Sequence, residues 1–378
     1  MAWRLACFYF LLFAYLGVFL PWLPPLLRSR GLDAAGIGLA LATVQVSRFL
    51  LPPLWGLVAD RLNHPRRLLA LASLLAGSSL VALAWAVHPA AIFACLALHG
   101  FFLVPLFPLA ETLTMAALGD RPQGYGRIRL WGSVGFIVAS FCLGMGVDLE
   151  GLSETSMVSL MGLPLALGAV VALVLPAPRA PGRRSAVESA GLPRAALAVV
   201  IVAAGLGQGA HGPYYAFFTL QLQEAGVSGT VTGLLWGWGV AAEVAMMAVS
   251  GFLIRRIGLK GAFVLSLLAG SLRWGLYAGG PPLGWLAAGQ TLHGISFGLL
   301  HVSTIRLVDR LSPPGRKALG QSLVSACSYG AAIGLGSFLA GRGQLALGYR
   351  GLFAVAAAAS LLGALVALAS RAPRRERD

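Results

Sequence analysis

Residues 28–39 read RSRGLDAAGIGL and residues 222–234 read LQEAGVSGTVTGL. Placed in register, Gly31 falls on Gly226, Gly38 on Gly233 and Gly56 on Gly251, all at an offset of 195. Leu98-His99-Gly100 falls on Leu292-His293-Gly294, and Gly126 on Gly320, both at an offset of 194. A register held over so much of the chain predicts a parallel structural repeat, which places a site at the interface of the two copies, as in transporters. Between the copies lies PAPRAPGRRSAVESAGLPR (176–194), the longest polar stretch and rich in Pro, Gly and Arg. It reads as a connection. The expected organisation is an N-terminal half over 1–176, a cytoplasmic linker over 177–194 and a C-terminal half over 195–378.

The sequence around the repeat is apolar. Of 378 residues, 58% are hydrophobic and 11% charged, with a mean hydropathy of +0.81, against about 25% charged residues in a soluble domain. Apolar runs bounded by charge or Gly/Pro clusters predict spans at 3–27, 34–59, 67–87, 90–118, 127–147, 157–176, 195–223, 230–254, 261–279, 283–308, 317–340 and 347–370. The first run lacks a small-x-small cleavage site and continues to Leu27, so it reads as a helix and not as a leader. The fold class expected is an all-α polytopic membrane protein, twelve transmembrane helices in two six-helix repeats.

The net charge of +15 is spread in ones to fours between apolar runs, which marks topology and not a nucleic-acid surface. With the N-terminus inside, the inner connections hold 22 Lys and Arg and the outer ones only Arg28, Arg30, Arg342 and Arg350. Basic residues resist translocation, so both termini are expected in the cytoplasm and the chain in the cell (inner) membrane. Cys7, Cys95, Cys142 and Cys327 lie in apolar runs without CxxC spacing, which supports neither a disulfide framework nor a zinc site. No HExxH motif and no phosphate-binding GxxxxGKS or GxxxxGKT loop occurs, so no metal, cofactor or ATP drive is expected. The expected partners are a small-molecule substrate, protons and the lipid bilayer, with no obligate protein partner. An intramembrane enzyme and a passive channel are the remote alternatives.

An ionisable group at mid-membrane costs a few kcal/mol and marks a site by default. Arg48 lies about fourteen residues into the second span and Glu243 about thirteen into the eighth, near the midplane at about 1.5 Å per residue. They are repeat equivalents, offset by 195, and two readings stay open: a gate or substrate clamp across a central cavity, or a static ion pair. The ninth span carries Arg273 beside Trp274; the tenth carries Gln290, His293, Phe297 and His301, spaced three, four and four along one helix face. The seventh adds Gln208, His211, Tyr214 and Tyr215. Glu111 stands toward the inner end of the fourth span; Arg129 opens the fifth, as a membrane-surface anchor or as the partner of Glu111 in an inward cavity. Lone histidines such as His99 and His211 read first as hydrogen-bonded packing residues.

Gly56-x-x-x-Asp60-Arg61 followed by Arg66-Arg67 resembles the gating signature of the major facilitator superfamily in the loop after the second helix, with Asn63 where that signature has Gly. The resemblance runs almost the full length. YGRIRLWGS (125–133), QGAHGPYYAF (208–217), WGVAAEV (238–244), LRWG (272–275) and LHGISFGLLHVSTIR (292–306) look most like the phenylpropionate permease family. More distantly, the chain resembles the oligosaccharide:proton symporters typified by lactose permease. Their sugar-binding Glu and Arg match Glu111 and Arg129, with the same fifteen residues from the Glu to Gly126. Their helix-eight Glu, helix-nine Arg and helix-ten His match Glu243, Arg273 and His293. The acid that releases the proton in that group is Ser296 here.

The expected function is secondary active symport of a small organic solute with protons. Arg48, Arg129 and Arg273 suit an anion, because a guanidinium holds a carboxylate through two hydrogen bonds. An aromatic monocarboxylate such as 3-phenylpropionate fits, with Trp236, Tyr215 or Phe297 to cover its ring, and His293 completes the expected substrate set. Proton coupling falls to Glu243, with His293 or His301 as relay. A sugar, read by Glu111 as acceptor, or a nucleoside is the alternative.

Overall fold

The computed structural model describes residues 2–62, 64–119, 122–149, 152–176, 191–280 and 282–370. Asn63 and residues 177–190 of the expected linker lie outside the described residues. The described residues are helical, with no strand among them. In order the helices are α1 (Ala2–Ser29), α2 (Ala34–Leu50), α3 (Pro52–Leu62), α4 (Pro65–Val81), α5 (Pro89–Leu103), α6 (Leu106–Leu118), α7 (Tyr125–Asp148), α8 (Glu154–Leu173), α9 (Arg194–Gly209), α10 (Gly212–Glu224), α11 (Gly229–Ala278), α12 (Leu283–His293), α13 (Leu300–Leu311), α14 (Lys317–Val324) and α15 (Ile333–Ala369). By length and composition eight helices among the described residues can cross a membrane, or nine if the bent pair α2 and α3 is one span.

The two quoted stretches fold in the same way. Gly31 (φ 81°) ends α1 and Gly226 (φ 72°) ends α10, in the left-handed region that glycine enters without a Cβ clash. Leu32 N donates to Leu27 O and Val227 N to Leu222 O, closing equivalent turns. Asp33 and Ser228 then cap α2 and α11, their side chains accepting from Gly36 N and Val231 N.

Prolines break runs that the sequence predicts as single helices. α2 and α3 bend by 53° ahead of Pro52 and Pro53, α5 and α6 part at Val104-Pro105, and α9 and α10 part just before Pro213. A proline lacks the N–H for its helix bond, and its ring collides with the carbonyl four residues back. In the other direction, the 50-residue α11 is two helices joined across Gly258 (φ 75°), and α15 is two joined across Gly348 (φ 59°). The tenth and eleventh predicted spans contain π-helical segments, Gly294–Leu299 and Ser325–Ala332.

Glycine lets helix backbones touch. A Cβ on Gly38 of α2 would meet Ser337 O of α15 at 2.5 Å, and one on Gly233 of α11 would meet Ser140 O of α7 at 2.3 Å. Such small-residue seams drive packing where lipid removes the hydrophobic gain between helices. At the end where α1 and α10 finish, Arg28 ion-pairs with Glu224, whose Oε1 also accepts from Tyr349 Oη at 2.8 Å. Beside them Asp148 of α7 accepts from Gly229 N (2.6 Å) and Thr230 N (2.7 Å), capping the first turn of α11. This rim is tied between residues before 149 and residues after 223. At the opposite end α3 buries no residue, and Asp60 and Arg61 are exposed.

Candidate functional site

The repeat-equivalent charges sit against π-helical segments. A Cβ on Gly298 would touch Glu243 Cγ at 3.2 Å, and a Cβ on Gly330 would meet Phe49 N at 3.0 Å and the Arg48 carbonyl carbon at 3.2 Å. Arg48 is solvent-accessible and makes no ion pair among the described residues, with Glu243 or with any other group within 4.0 Å. Its electrostatic neighbours are Tyr15 and Tyr215.

Arg129 of α7 likewise has no ion-pair partner among the described residues. Its guanidinium lies 3.9 Å over the Phe13 ring and 5.7 Å from that of Tyr9. It is within electrostatic reach of Glu243, His301 and Glu111. Glu111 of α6 is exposed and accepts from Tyr125 Oη at 3.4 Å, not from Arg129. Tyr215, Glu243, Phe297 and His301 are each partly exposed, and Tyr215 neighbours both Arg48 and Glu243. Most of the charges picked out in the sequence therefore share one neighbourhood across α2, α7, α10, α11 and α13.

Arg273 has a different setting from the one its charge suggests. It is fully buried, with Tyr214, Trp274 and Tyr277 around its guanidinium at 4.6, 4.3 and 5.6 Å. Nη2 donates to Gln290 Oε1 (2.7 Å) and Nη1 to His293 Nδ1 (2.8 Å). A buried cation needs such acceptors and aromatic faces. With no exposed surface, Arg273 reaches the accessible site through His293.

That contact sets the tautomer of His293. A guanidinium only donates, so Nδ1 must accept and the ring hydrogen of the neutral form sits on Nε2. Nε2 faces Glu243 Oε2 at 3.9 Å. The ring also stacks on Phe297 with centroids 5.1 Å apart.

Trp236 stands behind the site, 3% exposed, with Nε1 donating to Thr219 Oγ1 at 3.0 Å and its ring on Tyr214. Of the gating motif, Gly56, Asp60 and Arg61 lie on the exposed α3, and a Cβ on Gly56 would meet nothing within 4 Å. The π-helical segment shifts the tenth-span stripe, since His301 turns to Tyr329 Oη (2.9 Å) while Gln290 and His293 turn to Arg273. The sequence reading missed Tyr329. The available signal was the aromatic-glycine pair Tyr329-Gly330, the same pair as Phe297-Gly298.

Residues 2–353 match the family described as MFS_1 like family. The chain is 33% identical over 367 residues to the "Probable 3-phenylpropionic acid transporter" of Escherichia coli (strain K12), covering 94% of each. It is 29% identical over 332 residues to the "Maltose permease" of Geobacillus stearothermophilus, covering 85% of this chain and 82% of the relative. In three dimensions it resembles the nucleoside transporter NupG, with a TM-score of 0.83 at 20% identity over 97% of this chain and 98% of that one. The chain belongs to the MFS_1 like family of the major facilitator superfamily: it is a multi-pass secondary transporter and not an enzyme.

Proposed function

We propose that the chain carries an aromatic monocarboxylate, with 3-phenylpropionate as the leading candidate, into the cell together with protons. The observation that carries this reading is the pair Arg48 and Arg129, neither of which has a carboxylate within 4.0 Å among the described residues. Exposed Arg48 and half-buried Arg129 are free to hold an incoming carboxylate in bidentate fashion. Tyr215 and Phe297 flank the position with apolar faces. Similarity to a relative named for 3-phenylpropionic acid agrees with this class of solute.

In the same reading the chain makes twelve crossings in two halves, 1–176 and 195–378, joined by a cytoplasmic linker. Counting both sides of Gly258 and Gly348 separately, and adding Leu283–Leu311, supports that number. An unbroken 50-residue helix would be about 75 Å long, far beyond a bilayer of about 30 Å. Both termini face the cytoplasm of a cell inner membrane. The tied rim at Arg28, Glu224 and Asp148 is then the outer one, and the exposed α3 marks the side open to the cytoplasm. The halves rock about the central site.

Glu243 is the proton carrier and His293 the relay. Arg273 acts as a positioning residue, because its bond to Nδ1 keeps the Nε2 hydrogen of His293 directed at Glu243. The decisive experiment is uptake of labelled 3-phenylpropionate into proteoliposomes under an imposed inward proton gradient. Accumulation above equilibrium supports the reading, and its absence in active vesicles removes it. A carbohydrate is the second reading, favoured by the exposed Glu111 carboxylate as hydroxyl acceptor and by the maltose permease relative. Maltose accumulation in the same vesicles would select it.

A further inference from the structure

Two π-helical segments occur among the described residues, Gly294–Leu299 and Ser325–Ala332. Such turns occupy well under 1% of residues and gather at functional sites, since the extra residue in the turn re-aims a side chain at a cost in hydrogen-bond geometry. Both segments carry an aromatic-glycine pair, Phe297-Gly298 and Tyr329-Gly330. Each glycine is the point of contact with a charged residue. Gly298 lies against Glu243 on α11, and Gly330 lies against the backbone of Arg48 and Phe49 on α2.

The consequence is that the two aromatic rings are delivered together. Phe297 and Tyr329 stand perpendicular, 88° apart in plane with centroids 6.3 Å apart, and both are partly exposed. The 2.9 Å bond between Tyr329 Oη and His301 Nδ1 fixes the orientation of the tyrosine ring. Phe297 is also stacked on His293, with centroids 5.1 Å apart, and meets the His211 ring at a steep angle with centroids 5.5 Å apart. An edge and a face at right angles are what a third aromatic ring packs against favourably.

We propose that Tyr329 is a specificity-determining residue of the transport site, forming with Phe297 an aromatic slot between Arg48 and Glu243 that takes the ring of an aromatic carboxylate. The acid group of that solute meets Arg48, and the ring enters the slot. The assignment rests on the aromatic-carboxylate reading above. It adds the residue that selects the ring over an aliphatic chain of the same charge.

The test is isothermal titration calorimetry of the full chain, purified in detergent, with 3-phenylpropionate and with hexanoate, which carries the charge without the ring. The wild type is expected to prefer the aromatic acid. Tyr329→Leu should weaken 3-phenylpropionate about tenfold and leave hexanoate unchanged. Tyr329→Phe, which keeps the ring but loses its bond to His301, should weaken 3-phenylpropionate less than Tyr329→Leu does. Gly330→Ala presses the π-helical segment against the Arg48 backbone, and should weaken both acids, the aromatic one more. Phe297→Leu removes the other wall with the result expected of Tyr329→Leu, so the slot remains testable if Tyr329→Leu does not fold. Equal weakening of both acids by the leucine variants, or none, overturns the slot while leaving the solute class in place. A wild type that binds neither acid overturns the solute class and the slot with it.

Discussion

His99 and His293 occupy equivalent positions in the repeat, each followed by a glycine packed on the helix that begins after the equivalent turn: Gly100 on Ser47, Gly294 on Ala242. Their environments are opposite. His99 donates from Nδ1 to Ala76 O (3.0 Å), which leaves Nε2 to accept from Tyr15 Oη (2.6 Å). Both nitrogens are satisfied by neutral groups in a fully buried pocket. In His293 the assignment reverses, since Arg273 takes Nδ1, and Nε2 is left facing a carboxylate 3.9 Å away. One backbone position thus holds a closed packing unit in one copy and an incomplete chain of donors and acceptors in the other. The duplicated geometry supplies a place for a histidine, while neighbours from other helices decide whether its ring nitrogens are closed by neutral groups or held between charged ones.

Substitution at Glu243 should have the strongest consequence. Glu243→Gln is expected to abolish uphill accumulation and to retain exchange of solute across the vesicle membrane, because a permanently neutral side chain mimics the loaded carrier without releasing its proton. Counterflow and gradient-driven uptake in proteoliposomes check both halves of that outcome. Accumulation by the variant would move the carrier role to Glu111 or to the histidines.

A smaller effect is expected from the arginines. Arg48→Ala and Arg129→Ala should each weaken solute binding by about tenfold to a hundredfold, the range for losing a hydrogen bond to a charged group. Arg127→Ala, two residues from Arg129 but on the exposed face, should change binding little. Titration of the three purified variants tells them apart, and equal loss in all three removes the binding role.

His99→Leu sharpens the static side of the comparison. It strands the Tyr15 hydroxyl in an apolar pocket and removes the side-chain bond to the Ala76 carbonyl, which keeps its bond within α4, at a cost of about 1–3 kcal/mol. Melting in detergent should register the loss, while transport per folded molecule stays at the wild-type level. Loss of coupling in folded His99→Leu would erase the distinction between the two histidines.

The smallest effects concern the tied rim that holds both regions in their present relation. Arg28 and Glu224 are about half exposed, where an ion pair is worth about 0–1 kcal/mol. The Asp148 carboxylate instead accepts from two backbone N–H groups in the first turn of α11, a cap that does not need two exposed side chains to meet. Spin-label distances between Thr155 and Leu345, both exposed, should therefore show more rim-separated population in Asp148→Ala than in Arg28→Ala. The reverse order would locate the tie in the ion pair.

Much of this was legible in the chain itself. Hydropathy established a multi-pass helical membrane protein, because a bilayer tolerates only long apolar stretches with their backbone bonds satisfied internally. The repeat register implied that 28–39 and 222–234 are equivalent; the turn they share, with a left-handed glycine and an Asp or Ser cap, came from the structure. The embedded charges were visible from their cost alone. Their partners were not. The pairings the sequence left open, Arg48 with Glu243 and Glu111 with Arg129, are not ion pairs among the described residues, and the cage around Arg273 draws on Tyr214, Gln290 and His293 from other helices. Nor does spacing along one helix reveal a π-helical turn, whose extra residue is set by how Gly298 and Gly330 seat against α11 and α2. Composition and periodicity are properties of a segment and determined the class of fold. Which charge meets a ring, an amide or open space depends on contacts between segments far apart in the chain, and only tertiary packing decided that.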